Sequence, residues 1–345
     1  MDATTYAVDL AKNVFQVHWV EPTSGEIHRK KLSRTKLTEF FAQLQPARIA
    51  MEACGGAHHW ARALLAMGHE PVLLPAKQVR AFVRGNKDDA ADARAIWVAA
   101  THEDIRRVPI KSCDQQAVLS LHRARSHWIS SQTSTINMLR GLLYEFGVVL
   151  PQGRHAGLRV LAERRAELDE SLPQLMVRLV DELLRTLKQI EHNIEVAEGE
   201  IAGIQKSSQT AKALRQIPGV GVLGATALAA VLGDGKAWRN GREFAASLGL
   251  CPGHQGTGGK VRMGTITKRG DPYLRTLLIS GAHAVAISKN RTQWFTKILE
   301  RRPANVAAVA WANKTARMAW ALVRHGRAYD ARWSSSAPVV ASMAA

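Results

Sequence analysis

Four acidic residues have types and spacings that suit phosphoryl chemistry. Asp9 breaks the apolar run TYAVDLAKNVFQVHW between Thr5 and Trp19, and Glu52 closes a short apolar stretch that begins at Arg48. A carboxylate at the end of a buried strand is costly to desolvate unless something positive sits on it. Asp89 and Asp92 lie three apart in an alanine-rich stretch that favours helix from Asp88 to Ala100, so both project from one face. Asp88, four before Asp92, is an ambiguous neighbour of that pair. Taken singly, each acid reads as readily as a loop cap or a solvated helix face. Acids brought together cannot all stay ionised without cations. Two magnesium ions about 4 Å apart, replaceable by manganese, are the usual answer in phosphoryl transfer.

The elements around these acids decide whether they meet. Tyr6 to Val8 lead into Asp9, and Val14, Phe15, Val17 and Trp19 resume the β-prone pattern, which predicts strand, tight turn, strand. EPTSGE from Glu21 to Glu26 is a turn, and Ile27 to Leu32 a third strand, completing an antiparallel meander. Thr35 is expected to cap a short helix to about Leu44. Arg48 to Met51 is a fourth strand ending on Glu52, and the small residues Ala53-Cys54-Gly55-Gly56 after it let a backbone or phosphate approach. His58 to Met67 is helical, Gly68 stops it, and Pro71 to Pro75 is a fifth strand. Three antiparallel strands followed by alternating helix and strand is the order of a ribonuclease-H-like sheet, α/β in class. There the first and fourth strands are neighbours and a later helix crosses their ends, so the four carboxylates would converge.

The rest of the chain reads as helical. Asp114 to about Phe146 is one long stretch carrying His122, Arg123, Arg125, His127 and Arg140, either tracking a nucleic-acid backbone or bracing the first domain. Gly147 to Gly157, with Pro151 and Gly153, is a linker or sharp bend. Met176, Val180, Leu183, Leu187, Ile190, Ile194, Ala197, Ile201 and Ile204 alternate steps of four and three, the spacing of a coiled-coil seam. Its partner is the preceding helix or a second chain, and a seam supporting a dimer is favoured. Ile217-Pro218-Gly219-Val220-Gly221 is a tight glycine turn between apolar helices. It has the shape of a helix-hairpin-helix, in which the amides at Gly219 and Gly221 bind DNA phosphate without reading sequence; a purely structural αα-hairpin is the alternative. Phe244 to Leu250 is a helix. Cys251 to Asp271, CPGHQGTGGKVRMGTITKRGD, reads as a flexible loop suited to phosphates through Gly258, Gly259, Lys260, Arg262, Lys268 and Arg269. Tyr273 to Ile287, Trp294 to Leu299 and Ala304 to His325 follow as helices, with Trp294, Trp311 and Trp320 read as core.

These readings divide the chain into a catalytic domain (1–110), long helices and coiled coil (111–210), a helical C-terminal domain (211–330) and a disordered tail (331–345). A length of 345 residues at 46% hydrophobic supports such cores. The net charge is +18, and from Lys206 onward 21 Lys and Arg face five Asp and Glu, an excess of 16. That concentration points to a polyanion partner. No apolar run reaches a membrane-spanning length and the first residues lack a signal-peptide pattern, so a cytoplasmic protein without a membrane partner is expected. Cys54, Cys113 and Cys251 are too few and too far apart for a disulfide framework or zinc knuckle.

Five motifs in order carry a family likeness: YAVDLAKNVFQVH at Tyr6 to His18, MEACG at Met51 to Gly55, NKDDAADA at Asn86 to Ala93, IPGVG at Ile217 to Gly221, and GTGGKVRMGTITKRGDPYLRTLL at Gly256 to Leu278. Over nearly its whole length the chain resembles the DEDD transposases of insertion sequences, which include the Piv-type invertases and the bridge-RNA-guided recombinases. The resemblance implies a RuvC-like catalytic domain, a coiled-coil connection and a C-terminal transposase domain. It places the family's acids on Asp9, Glu52, Asp89 and Asp92, preferring Asp89 to Asp88. It further implies a noncoding RNA pairing with donor and target DNA, and dimers assembling into a tetramer. In the family a serine of the C-terminal glycine loop attacks DNA and becomes covalently linked to it. Here the matching position is Thr257, whose methyl group restricts rotation and crowds an in-line attack. Thr265, Thr267 or metal-activated water are the alternatives. The expected activity is magnesium-dependent DNA cleavage and rejoining that moves a mobile element. A junction-resolving endonuclease using water, and a nucleic-acid scaffold with vestigial acids, are the competing readings.

Overall fold

Alternating apolar residues build the first layer of the molecule. The computed structural model describes residues 4–83, 89–257, 260–289 and 291–330; Asp88, Gly258, Gly259 and the 331–345 tail lie outside them, as do the side chains of Asp89, Thr257 and Lys260. The chain divides into two compact units, Met1–Cys113 and Asp114–Ala345.

The N-terminal unit runs β1 (Thr5–Asp9), β2 (Val14–Val20), β3 (Ile27–Ser33), α1 (Arg34–Ala42), β4 (Arg48–Glu52), α2 (Ala57–Ala66), β5 (Glu70–Leu74), α3 (Ala76–Val79) and α4 (Asp89–Thr101). Its five-stranded sheet has the order β3-β2-β1-β4-β5. β1 and β2 pair antiparallel, as do β2 and β3, whereas β4 runs parallel to β1 and β5 parallel to β4. The first and fourth strands are therefore neighbours, as the sequence led one to expect. Side chains alternate across the sheet. Val8, Phe15, Val17, Ile49, Met51 and Leu73 pack with Leu37 and Phe41 of α1 and Trp60 and Leu64 of α2. Ala7, Ala50, Val72 and Leu74 pack on the other face with Ala95, Ile96 and Ala99 of α4. Small residues on that face let α4 lie close, and Trp97 fixes it by donating from Nε1 to the Thr5 carbonyl at 3.1 Å. Each large apolar side chain so buried contributes about 1.5–3 kcal/mol. The cap of α1 is Ser33, whose hydroxyl accepts from the Lys36 amide, and not Thr35. The strand runs straight into the helix, so the last strand residue takes the capping position.

The C-terminal unit continues with α5 (Cys113–Tyr144), α6 (Arg154–Glu163), α7 (Arg165–Ser171), α8 (Gln174–Ser207), α9 (Gln209–Leu214), α10 (Val222–Leu232) and α11 (Gly241–Ser247). Strands β6 (Pro252–Thr257) and β7 (Lys260–Ile266) follow, then α12 (Pro272–Ile287), α13 (Gln293–Leu299) and α14 (Ala304–His325). Arg125 of α5 bonds Glu198 of α8 at 2.8 Å, and Gln132 bonds Glu191 at 3.4 Å. Rising numbers on α5 meet falling numbers on α8, so the two helices are antiparallel. Leu139 and Leu143 of α5 bury against Val180 and Leu183, members of the seam, together with Leu161 of α6 and Leu168 of α7. Heptad spacing leaves open what covers the stripe, and within this chain α5 covers part of it.

The largest core joins α9 to α14 around the fully buried Trp311 and Phe295. Trp311 donates from Nε1 to the Pro218 carbonyl at 3.1 Å, which pins the glycine turn between α9 and α10 to α14. Gly219 has φ +87°, and a Cβ there would stand 2.7 Å from the Gly281 carbonyl of α12. Behind the turn, His122 is buried between Tyr273 Oη at 2.8 Å from Nδ1 and Thr226 Oγ1 at 3.0 Å from Nε2. The Thr226 hydroxyl donates to the Val222 carbonyl, which leaves its oxygen to accept from the His122 Nε2–H. Burial first, then Arg125, pushes the His122 pKa down to about 4.

One expectation fails here. The glycine-rich stretch from Cys251 is not a loop: β6 and β7 pair antiparallel from Pro252↔Ile266 to Thr257↔Lys260, with an irregularity between Pro252 and His254. The ladder satisfies backbone groups that the glycines leave bare, and Thr267 closes its foot by donating to the Cys251 carbonyl at 2.9 Å. Among the described residues no helix is long and apolar enough to cross a membrane.

Candidate active site

Register brings the first two acids together. Val8 of β1 pairs with Met51 of β4 in the parallel ladder, so the next residues, Asp9 and Glu52, end adjacent strands side by side. Adjacent strands lie about 4.8 Å apart. By alternation both share the face of Ala7 and Ala50, which α4 covers. Asp92 sits one helical turn before Ala95 and Ile96, the residues that pack on that face. Glu52 feels the crowding: burial first, then the negative charge of Asp92, raises its carboxyl pKa. Cys54, two residues beyond, is raised by burial, then by Glu52 and Asp9, which holds it as a thiol. The three described acids and Cys54 thus occupy one electrostatic neighbourhood.

Asp89 opens α4, three residues before Asp92. Among the described residues no three His, Cys, Asp or Glu side chains are gathered tightly enough to hold a metal ion. The donors nevertheless suit one by type: half-buried carboxylates, mutually repelling, are the oxygen set that hard divalent cations take.

Sequence reading missed one neighbour. Gln16 of β2 is the direct Cα partner of Asp9 in the antiparallel ladder, so it shares the face of the acids. The signal lay in the register of the first hairpin and not in any motif.

The second set of expected residues lies in the other unit. Thr257 ends β6 opposite Lys260, at the tip of the hairpin. Arg262, Thr265, Lys268 and Arg269 are exposed on β7 and just after it. Lys268 has φ +52°, a conformation an L residue holds at a cost of about 1 kcal/mol or more. At the foot, the Asn313 amide of α14 donates to the Leu250 carbonyl at 3.3 Å, and Arg275 of α12 donates to the Leu248 carbonyl at 3.0 Å. The hairpin therefore stands on a braced base. Gly221 is exposed at the start of α10, whereas Gly219 serves the close contact with Gly281.

Comparison with known proteins gives this arrangement a family. A model described as the transposase IS116/IS110/IS902 family matches residues 211–298, and a second, described as a transposase, matches residues 6–147. The chain is 44% identical over 335 residues to a Pseudomonas aeruginosa protein named "Probable family 20 transposase", covering 95% of this chain and 99% of that one. It is 37% identical to the Yersinia enterocolitica transposase for insertion sequence element IS1328, over 95% of this chain and 99% of that one. It is 34% identical to the Coxiella burnetii transposase for insertion sequence element IS1111A, over 95% and 92%. The chain belongs to the IS110 family of transposases.

The transposase is thus a DNA-cleaving and rejoining enzyme, and the two matched segments hold its two sets of polar residues. The first spans the sheet, Asp9, Glu52, Asp92 and α5; the second spans α9 to the β6–β7 hairpin and on through most of α13.

Proposed function

We propose that the transposase cuts and rejoins the ends of its mobile element by magnesium-dependent transesterification, on a ribonuclease-H-like sheet of the RuvC kind. The observation that carries this reading is the placement of Asp9 and Glu52 at the ends of paired strands, with Asp92 near enough to raise the Glu52 pKa. Asp9, Glu52, Asp92 and Asp89 would hold the cation; magnesium or manganese bound there would neutralise their charge and polarise the scissile phosphate. Thr257 is the nucleophile: its Oγ–P bond forms as the bond from phosphorus to the departing deoxyribose oxygen breaks. The hydroxyl proton leaves and the departing oxygen takes one up. The number of phosphoester bonds is unchanged, so rejoining needs no nucleotide hydrolysis. Lys260, Arg262, Lys268 and Arg269 hold phosphates and offset transition-state charge. The basic excess of the C-terminal part also suits a structured noncoding RNA that pairs with donor and target DNA, leaving the protein to read backbone and shape. Dimers pairing into a tetramer would hold both DNAs.

One observation favours hydrolysis by metal-activated water instead: the nucleophile position carries threonine, whose methyl group hinders attack. A denaturing gel separates the two. The purified protein, with its copurifying RNA, magnesium and labelled junction DNA, should give a shifted covalent band that is absent in Thr257→Ala. Cleavage without a shifted band, unchanged in that variant, would replace the transesterification by hydrolysis.

A further inference from the structure

The C-terminal unit contains a cavity of about 320 Å³ that the reading above does not use. Two elements far apart in sequence face each other across it: Asn240 and Arg242 at the start of α11, and Arg317, Trp320 and His325 of α14, with Arg327 just beyond. They meet because Gly241 is buried against the backbone of Arg317, whose carbonyl would stand 2.9 Å from a Cβ at that position. The contact brings Arg242 and Arg317 to the lining of one cavity, and Arg317 is half-buried. Two like charges held together and partly out of water are unfavourable unless an anion joins them. Burial, then Arg242, pushes the Arg317 pKa down, in keeping with that crowding.

Asn240 accepts from the Glu243 amide through Oδ1 at 3.0 Å, which leaves its Nδ2 as a donor. Among the described residues Arg242, Arg317 and Arg327 make no ion pair with a carboxylate. Trp320 is buried, has the His325 ring edge-on against it, and donates its Nε1 to the Gly235 carbonyl at 3.0 Å. It offers no open face on which an unstacked base could lie, as single-stranded nucleic acid requires. An open, largely apolar depression rimmed by three arginines, without a stacking platform, suits the sugar-phosphate backbone of a duplex.

We infer that the cavity between α11 and α14 is a phosphate-binding pocket that grips the backbone of duplex DNA, formed by residues other than the acids and the hairpin residues of the proposed function. Arg242 and Arg327 are exposed and can be changed without touching the core. The test uses the full chain in EDTA, so that it is independent of cleavage, with fluorescent duplexes of two unrelated sequences. Arg242→Gln/Arg327→Gln should weaken both duplexes equally, by about tenfold or more, and lower the slope of log affinity against log salt by about 2. The Lys pair at the same positions should restore the slope. Arg178→Gln/Arg185→Gln, exposed on α8, removes equal charge elsewhere and should leave it nearly unchanged. Equal losses in both pairs would mean bulk charge alone and overturn the pocket. So would an unchanged slope in the first pair, with an unchanged melting temperature. Loss confined to a labelled single-stranded RNA would overturn the assignment to duplex DNA.

Discussion

In the N-terminal unit the reactive side chains stand at the ends of two hydrogen-bonded strands; in the C-terminal unit they stand on a two-stranded hairpin and on the facing sides of two helices. The ladder between β1 and β4 fixes Asp9 and Glu52 to within the tolerance of a sheet, in a half-buried place where like charges raise a pKa. The hairpin and the cavity carry positive charge near the surface, positioned by side-chain braces and by one close backbone contact at Gly241. On the proposed function the first arrangement supplies the metal-holding acids, which need a fixed geometry, and the second supplies the nucleophile together with many contacts of modest strength to a long polyanion.

The sharpest way to break this contrast is to neutralise the acids. Asp9→Asn or Glu52→Gln should lower strand cleavage on the order of a thousandfold while duplex affinity stays within about twofold, read on a denaturing gel and by anisotropy. Comparable losses of binding would show that the two regions do not divide the work.

Stability against pH is the next largest effect, and it is carried by one buried histidine in each unit. In the folded chain His122 titrates at about 4, against 6.5 for the ordinary group. Between those values the unfolded chain binds more protons, so stability present above pH 6.5 is lost as pH falls toward 4, by up to about 3 kcal/mol. His18, buried on β2, is depressed to about 4 as well, by burial, then Arg29 and Arg94, and adds to the same window. Denaturant titrations at a series of pH values should show a shallower slope in His122→Leu than in the wild type, and His18 should supply what remains.

Gly219→Ala should cost about 2 kcal/mol or more, because the new methyl meets the Gly281 carbonyl at a positive φ. A fall in melting temperature with magnesium-dependent chemistry intact at permissive temperature would confine the turn to a packing role; a loss of DNA affinity in the folded variant would restore the phosphate-binding role to it. The smallest effect is expected at Gln16→Ala, a reduction of cleavage of about threefold to tenfold, since it only adjoins Asp9.

The strand-end placement of Asp9 and Glu52 was legible because strand alternation leaves a clear trace: Val8 before Asp9, Met51 before Glu52. Pairing of the first and fourth strands followed from the order of elements. The hairpin from Pro252 to Ile266 was not legible, since glycines at 253, 256 and 264 dilute the β pattern and its register is fixed by a base that includes residues as distant as Arg275 and Asn313. The seam of α8 showed an apolar stripe and was silent about what covers it. Arg242 and Arg317 share a cavity although they are far apart in sequence, and only a folded chain puts them together.

The antiparallel pair of α5 and α8 has a metrical consequence. At 1.5 Å per residue the 34 residues of α8 form a rod about 50 Å long. At 3.4 Å per base pair that is the length of about 15 base pairs of duplex. A heptad deleted from both helices would shorten the rod by about 10 Å, close to three base pairs, while leaving the seam in phase. Any spacing between DNA contacts that α8 imposes would shift by that step.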